Sequence, residues 1–169
     1  MNFYLTSGTP EFMERLLTKY AKEKMILLHG QGNSVVMHES EKKSVFATPR
    51  RFEVIDGAGH FEQRGFVAMQ NVPVMEESRP LFEERIITAI AHLKQDTSCI
   101  AYRVLRPVKA ETYVVVTQWA GPASFEVWTK SNAFHAELAQ LLDSSSSPTQ
   151  TFFTSKTYTT TFTAPQPEQ

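Results

Sequence analysis

The sequence predicts an α+β chain whose second part is a ferredoxin-like domain, and two observations carry that reading. From about Gly65 onward the hydrophobic periodicity runs strand, helix, strand, strand, helix, strand, which is the split βαβ arrangement. The two middle strand patterns, at 99–105 and 112–119, are apolar on both faces in places. Such strands belong to a sheet covered by helices on one side and by further protein on the other.

Each element has its own local signal. Residues 2–6 alternate and lead into Thr9-Pro10, an N-cap followed by proline at the first helical position. Met13, Leu16, Leu17 and Tyr20 then recur at helical spacing and give one apolar stripe. Residues 24–28 and 34–38 flank the polar Gly30-Gln31-Gly32-Asn33 segment, the pattern of a hairpin with a longer loop. A further strand is expected at 52–55, and Asp56-Gly57-Ala58-Gly59 reads as a joint. The first 60 residues thus form a β-α-β-β half. Its expected place is against the open face of the ferredoxin-like sheet, because that face would otherwise be a large exposed apolar patch.

The second part spans 65–163. A strand at 66–72 precedes a helix at 78–94 whose inner face carries Phe82, Ile86, Ala89, Ile90 and Leu93. After the strand pair, Gly121-Pro122 opens a helix with Phe125 and Trp128, and a second short helix carries Phe134, Leu138 and Leu141. The serine run 144–147 reads as a loop. A Thr-rich closing strand at 152–162 puts Phe152, Tyr158 and Phe162 on one parity. The proline-rich stretch 164–169 reads as a frayed tail.

Composition excludes several classes. With 17 Lys+Arg against 18 Asp+Glu and a net charge of -1, the chain lacks the positive field that a nucleic-acid backbone requires. Its longest apolar runs fall far short of the roughly 20 residues needed to span a bilayer, and its N-terminus has no signal-peptide pattern. A cytoplasmic location is therefore expected. The single cysteine, Cys99, rules out an internal disulfide and a cysteine-based zinc cluster, and a buried thiol in a strand is its expected role.

Four groups of residues carry a family resemblance. These are Asn71, the Arg103-Val104-Leu105-Arg106-Pro107 run, residues 113–119, and Phe125-x-x-Trp128-x-x-Ser131-x-x-Phe134. Together they resemble the antibiotic-biosynthesis-monooxygenase (ABM) heme-degrading enzymes of the dimeric α/β-barrel superfamily. The likeness is strongest to the longer, two-part HmoB-type members and to the related TRAP signal-transduction proteins. It extends more softly into the first half, through Thr6-x-Gly8-Thr9 and Glu53-Val54-Ile55-Asp56.

In the heme-degrading members an Asn on the first strand lies beside the oxygen-binding side of the iron, a Trp buckles the porphyrin, and a His on the second short helix ligates the metal. The resemblance places Asn71 and Trp128 in the first two roles. At the ligand position it finds Leu138, which offers no lone pair, so His135 becomes the sequence-near candidate for the iron. Arg103 and Arg106, with Lys109 nearby, are candidates for the heme propionates, because a guanidinium fork fits a carboxylate.

Each of these residues also has an ordinary reading. Asn71 would bond neighbouring backbone, Trp128 would anchor the core, Arg103 and Arg106 would lie at a solvated edge, and His135 would sit at the rim of an apolar stripe containing Leu138. His29 and His38 could face each other across the first hairpin as half of a metal site, with no third ligand spaced to help. His60 and His92 have no local constellation.

The resemblance implies a heme-binding, heme-degrading monooxygenase that uses heme as substrate and cofactor and takes electrons from an external donor. Two alternatives stand beside it. One is a non-catalytic, TRAP-like regulatory or interaction protein on the same fold, and the other is an ABM oxygenase that acts without heme on an aromatic substrate. The expected state is a monomer whose halves mimic a dimer, or else a homodimer.

Overall fold

The computed structural model describes residues 1–142 and 153–167, so the serine loop and Phe152 lie outside the described residues, as do the last two residues of the tail. The N-terminal half runs β1 (Asn2–Gly8), α1 (Pro10–Lys19), β2 (Met25–His29), β3 (Ser34–Ser40) and β4 (Arg50–Gly59). The second part runs β5 (Phe66–Pro73), α2 (Arg79–Ile90), β6 (Cys99–Pro107), β7 (Thr112–Trp119) and α3 (Pro122–Thr129). A π-helical turn, Phe134–Ala139, follows and runs into a short α-turn, Gln140–Leu142, before β8 (Tyr158–Thr163).

These strands close into one barrel in the order β1-β3-β2-β8-β5-β7-β6-β4. The second-part strands keep the ferredoxin-like order β8-β5-β7-β6 within it, all pairs antiparallel. The N-terminal strands supply the other wall. The apolar face that a ferredoxin-like sheet leaves open is thereby covered within the same chain, as its two-faced apolar strands required.

Alternation along each strand sorts the side chains into three clusters. Facing the barrel interior are Phe3, Leu5, Ile26, Leu28, Val35 and Met37 from the first half, packed with Val67, Met69, Leu105, Val114, Val116 and Phe162 from the second. On the outside of the second-part sheet, Val72, Val74, Tyr102, Val104, Tyr113 and Val115 pack beneath α2, α3 and the π-helical turn. On the outside of the first half, Tyr4, Met25, Leu27 and Val36 receive Met13, Leu16 and Leu17 of α1. Thr9 caps that helix as its sequence indicates, its hydroxyl accepting from the Phe12 amide at 3.3 Å.

The Asp56-Gly57-Ala58-Gly59 stretch is not a joint. It is the end of a ten-residue strand, β4, that pairs with β1 on one edge and with β6 on the other, so it welds the halves together. Its glycines answer a steric demand: a Cβ on Gly57 would lie 2.6 Å from Arg103 Cδ, and Gly59 has φ +76. The helix expected over 78–94 is α2 flanked by two 3₁₀ turns, Glu76–Ser78 and Ala91–Gln95. Within the described residues the closing strand runs Tyr158–Thr163, preceded by an isolated bridge from Phe153 to Val74. Ala164, expected in the frayed tail, is buried, and its amide donates to the Gly65 carbonyl at 2.8 Å.

Cys99 lies half-buried at the start of β6, its thiol directed to the Ala101 carbonyl at 3.4 Å. Burial, reinforced by the charge of Asp96, pushes that thiol up to about 12, so it stays protonated and unreactive. No described helix is long and apolar enough to cross a membrane.

Candidate functional site on the helix-covered face

The strongest concentration of aromatic side chains lies between the outside of the second-part sheet and its C-terminal helices. Trp119, at the end of β7, stacks on Trp128 of α3 with ring centroids 5.1 Å apart. Phe134 meets Trp128 edge-on at 4.8 Å, and Phe125 joins Phe66 at 5.5 Å. Gly121-Pro122 starts α3 immediately after β7, which swings Phe125 and Trp128 back over the sheet end.

Both indoles have their N–H groups satisfied. Trp119 Nε1 donates to Thr117 Oγ1 at 2.8 Å. Trp128 Nε1 donates to His92 Nε2 at 2.9 Å, and His92 Nδ1 lies 3.0 Å from the Ala89 carbonyl. The two contacts together fix the neutral tautomer of His92 with its proton on Nδ1, since Nε2 must be the acceptor. The Glu137 carboxylate stands 3.7 Å from the same Nδ1. His92, dismissed in the sequence for want of a constellation, is thus the partner of Trp128 from 36 residues away. No local spacing signals such a contact.

The residues assigned by resemblance do not meet. On β5, Val67 and Met69 face the barrel interior while Phe66, Val72 and Val74 face the helices. Asn71 has the odd parity, and it lines the barrel interior beside Leu5, Val35 and Phe162, on the opposite side of the sheet from Trp128. Its Nδ2 donates to the Met69 and Tyr158 carbonyls and to Thr160 Oγ1, at 3.1, 3.2 and 3.2 Å. The polar side chain of β5 that does carry the helix-facing parity is Gln70, whose Oε1 accepts from the Thr159 hydroxyl at 2.7 Å. Parity alone distinguishes the two, so this signal was present in the sequence.

Leu138 is fully buried with Phe82, Ile86 and Trp128 as part of the helix-side core. His135 is exposed, its ring edge-on to Phe134 at 5.8 Å. The π-helical winding points Leu138 inward and leaves His135 outward.

The arginines are also committed elsewhere. Arg103 is not at a solvated edge: it is 7% exposed and lies within the barrel. Its guanidinium forks onto Glu39 of β3 at 2.6 and 3.2 Å and donates to the Ala58, Gly59 and Tyr102 carbonyls. Arg106 bridges Glu83 of α2 at 2.9 Å and Glu53 of β4 at 3.1 Å. The Arg106 hydrogen bond holds the Glu83 carboxyl below its ordinary value against the opposing effect of burial, and the Tyr113 hydroxyl donates to the same carboxylate. Burial, then that bond to Glu83, pushes the Tyr113 phenol up.

His29 and His38 lie four positions apart along the first hairpin, paired with Ser34 and Met25, and do not form a metal pair. Among the described residues no group of three ligating side chains gathers.

As a test for heme, this set does not fit. The ligand position holds a buried leucine, the sequence-near imidazole of His135 is exposed, His92 is occupied as the acceptor of the Trp128 indole, the candidate oxygen-side amide is behind the sheet, and both arginines are already paired with carboxylates.

Residues 65–140 match the antibiotic biosynthesis monooxygenase family, so the chain carries an ABM domain. It is homologous to the staphylococcal TRAP proteins: a signal transduction protein TRAP of Staphylococcus epidermidis is 24% identical over 83% of this chain and 84% of its own. One of Staphylococcus aureus is 27% identical over 78% of each. In three dimensions the chain superposes on a major regulator of staphylococcal pathogenesis with TM-score 0.86 at 20% identity, covering 98% of this chain and 100% of that one. It superposes on a heme-degrading enzyme of Listeria monocytogenes with TM-score 0.75 at 18% identity, covering 98% and 100%. At these identities the structural likeness establishes the fold.

Proposed function

We propose that this chain is a non-catalytic regulatory or interaction protein of TRAP type, in which the ABM fold is kept and the heme chemistry is not. The observation that carries this reading is Leu138, buried completely in the position where the resembled enzymes hold their iron ligand. An apolar side chain there supplies packing and no lone pair. Reaching the iron from His135 would require unwinding the turn that buries Leu138.

The second reading, a heme-degrading monooxygenase, is supported by the sequence resemblance at Trp128, which lies on the helix-covered face. For that reading heme would be both substrate and cofactor, with an outside electron donor. Titrating the full chain with hemin separates the two. Our reading expects no saturable Soret shift with defined stoichiometry and no ascorbate-driven loss of that band. A one-to-one complex that bleaches under ascorbate with peroxide scavenged overturns it. Leu138→His supplies the positive control: an imidazole inserted at that position should create hemin binding if the register along the π-helical turn is right.

Because one chain supplies both walls of the barrel, the working unit we propose is the monomer. Light scattering of the purified protein should give a mass near 19.2 kDa.

A further inference from the structure

One end of the barrel interior opens as a cleft of about 360 Å³, on the opposite side of the second-part sheet from the aromatic cluster. The opening has a structural origin. β8 is laddered to β5 through residue pairs from Asn71↔Tyr158 to Phe66↔Thr163, whereas it meets β2 through the single pair His29↔Thr163. The interior-facing side chains of β8 therefore border a parting in the wall.

The lining has two zones. Leu5, Val35, Met69 and Phe162 form an apolar floor continuous with the barrel core. A polar zone completes the lining with Thr6, Ser7, Asn33, Thr48, Asn71 and Thr160, with Arg50 as the charged group and Tyr158 52% exposed. No Asp or Glu lines the cleft. Arg50 also lies over the Phe52 ring, its guanidinium carbon 5.2 Å from the centroid.

The buried amide makes this more than a gap in packing. Asn71 is 2% exposed on a strand face that is otherwise apolar, and its Nδ2 is held by three acceptors on β5 and β8. A polar wall so fixed is preorganised at the boundary between the apolar floor and the polar zone.

We propose that this barrel-mouth cleft is a binding site for a small organic anion with an apolar body, of the aromatic-carboxylate class. The apolar body lies on the Met69 and Phe162 floor, the hydroxyl groups of the polar zone hydrogen-bond the carboxylate, and Arg50 neutralises it. This goes beyond the regulatory reading above and does not depend on it, since hemin would address the other face of the sheet.

The probe is 2-naphthoate, with neutral 2-naphthamide as its comparator, titrated into the full chain by calorimetry. Methyl-labelled methionine and indole N–H resonances are followed by NMR. The proposal expects one saturable site, a shift of the Met69 methyl, and unmoved indole signals, because Trp119 and Trp128 are the two tryptophans and both lie across the sheet. Arg50→Gln, an exposed change that leaves the core intact, should weaken naphthoate about tenfold and leave naphthamide unaffected. Met69→Leu identifies the methyl signal and should preserve binding. Absence of saturation, equal affinity for acid and amide, an unaffected Arg50→Gln variant, or shifts at the indoles in place of Met69 would each overturn it. None of those outcomes bears on the hemin titration.

Discussion

Arg103 on β6 and Glu39 on β3 form a forked ion pair across the inside of the barrel, at 2.6 and 3.2 Å, and so tie the ABM domain to the N-terminal half. The arginine side chain is 9% exposed and the carboxylate 26%. Every guanidinium nitrogen is used, because the three bonds not spent on Glu39 go to carbonyls of β4 and of Arg103's own strand neighbour.

Removing one partner of such a pair leaves the other charge buried and uncompensated, which is more costly than the pair is stabilising. Arg103→Ala is therefore expected to lower unfolding free energy by about 3 kcal/mol. Replacing both residues by Met should recover a large part of that loss. Urea denaturation of the two single variants and the double variant checks this, and a double variant as unstable as the sum of the singles would show that the pair's burial is not the cause.

The close approach of β6 to β4 explains the glycines there, with Arg103 against Gly57 and the Ile100 backbone against Gly59. A Cβ on Gly59 would lie 2.3 Å from the Ile100 carbonyl oxygen, and its φ of +76 is one that L-residues rarely adopt. Gly59→Ala should cost about 1–3 kcal/mol, read as a lowered urea midpoint with unchanged m-value. At Gly32, also at positive φ but with open space around the Cβ position, the same change should be much milder.

The β4 glycines also show where the sequence was legible and where it was not. Helix α1 announced itself through Thr9-Pro10 and its apolar stripe, and the two-faced strands β6 and β7 announced a covered sheet, because those signals are local. Gly57 and Gly59 look like a linker in one dimension, since the β6 atoms that exclude a Cβ, Arg103 at Gly57 and the Ile100 carbonyl at Gly59, are more than forty residues away. The same limit hid the His92–Trp128 bond. Gln70 and Asn71 differ in kind: strand parity puts neighbouring residues on opposite faces of the sheet, whereas a family resemblance carries no information on which face a side chain takes. Leu138 was correctly legible as core from its spacing with Phe134 and Leu141.

The bond from the Trp128 indole to His92 ties α3 to the 3₁₀ turn after α2. His92→Phe removes the acceptor and leaves a buried N–H without a partner, at a cost of about 1–2 kcal/mol. His92→Gln can restore an acceptor and should recover part of that loss. Thermal denaturation together with tryptophan emission checks it: emission should change in the Phe variant, because the Trp128 indole N–H loses its acceptor.

Glu83 gives the protein an acid-sensitive lock between α2 and the sheet. Its pKa is lowered from 4.5 chiefly by the hydrogen bond from Arg106, with Tyr113 adding to it and burial opposing. A carboxyl held below its unfolded value stabilises fully above that value, and the contribution fades as pH falls through the folded one. Glu83 is 17% exposed but Arg106 is 39%, so solvent screening keeps the effect near 1 kcal/mol. Glu83→Gln should therefore be less stable than the wild type by about that amount at neutral pH. The gap should narrow below about pH 4.5, where the unfolded-state carboxyl begins to bind its proton. Urea titrations of both proteins across that range give the test, and a gap that widens on acidification would mean that Glu83 is not held in its charged form by Arg106.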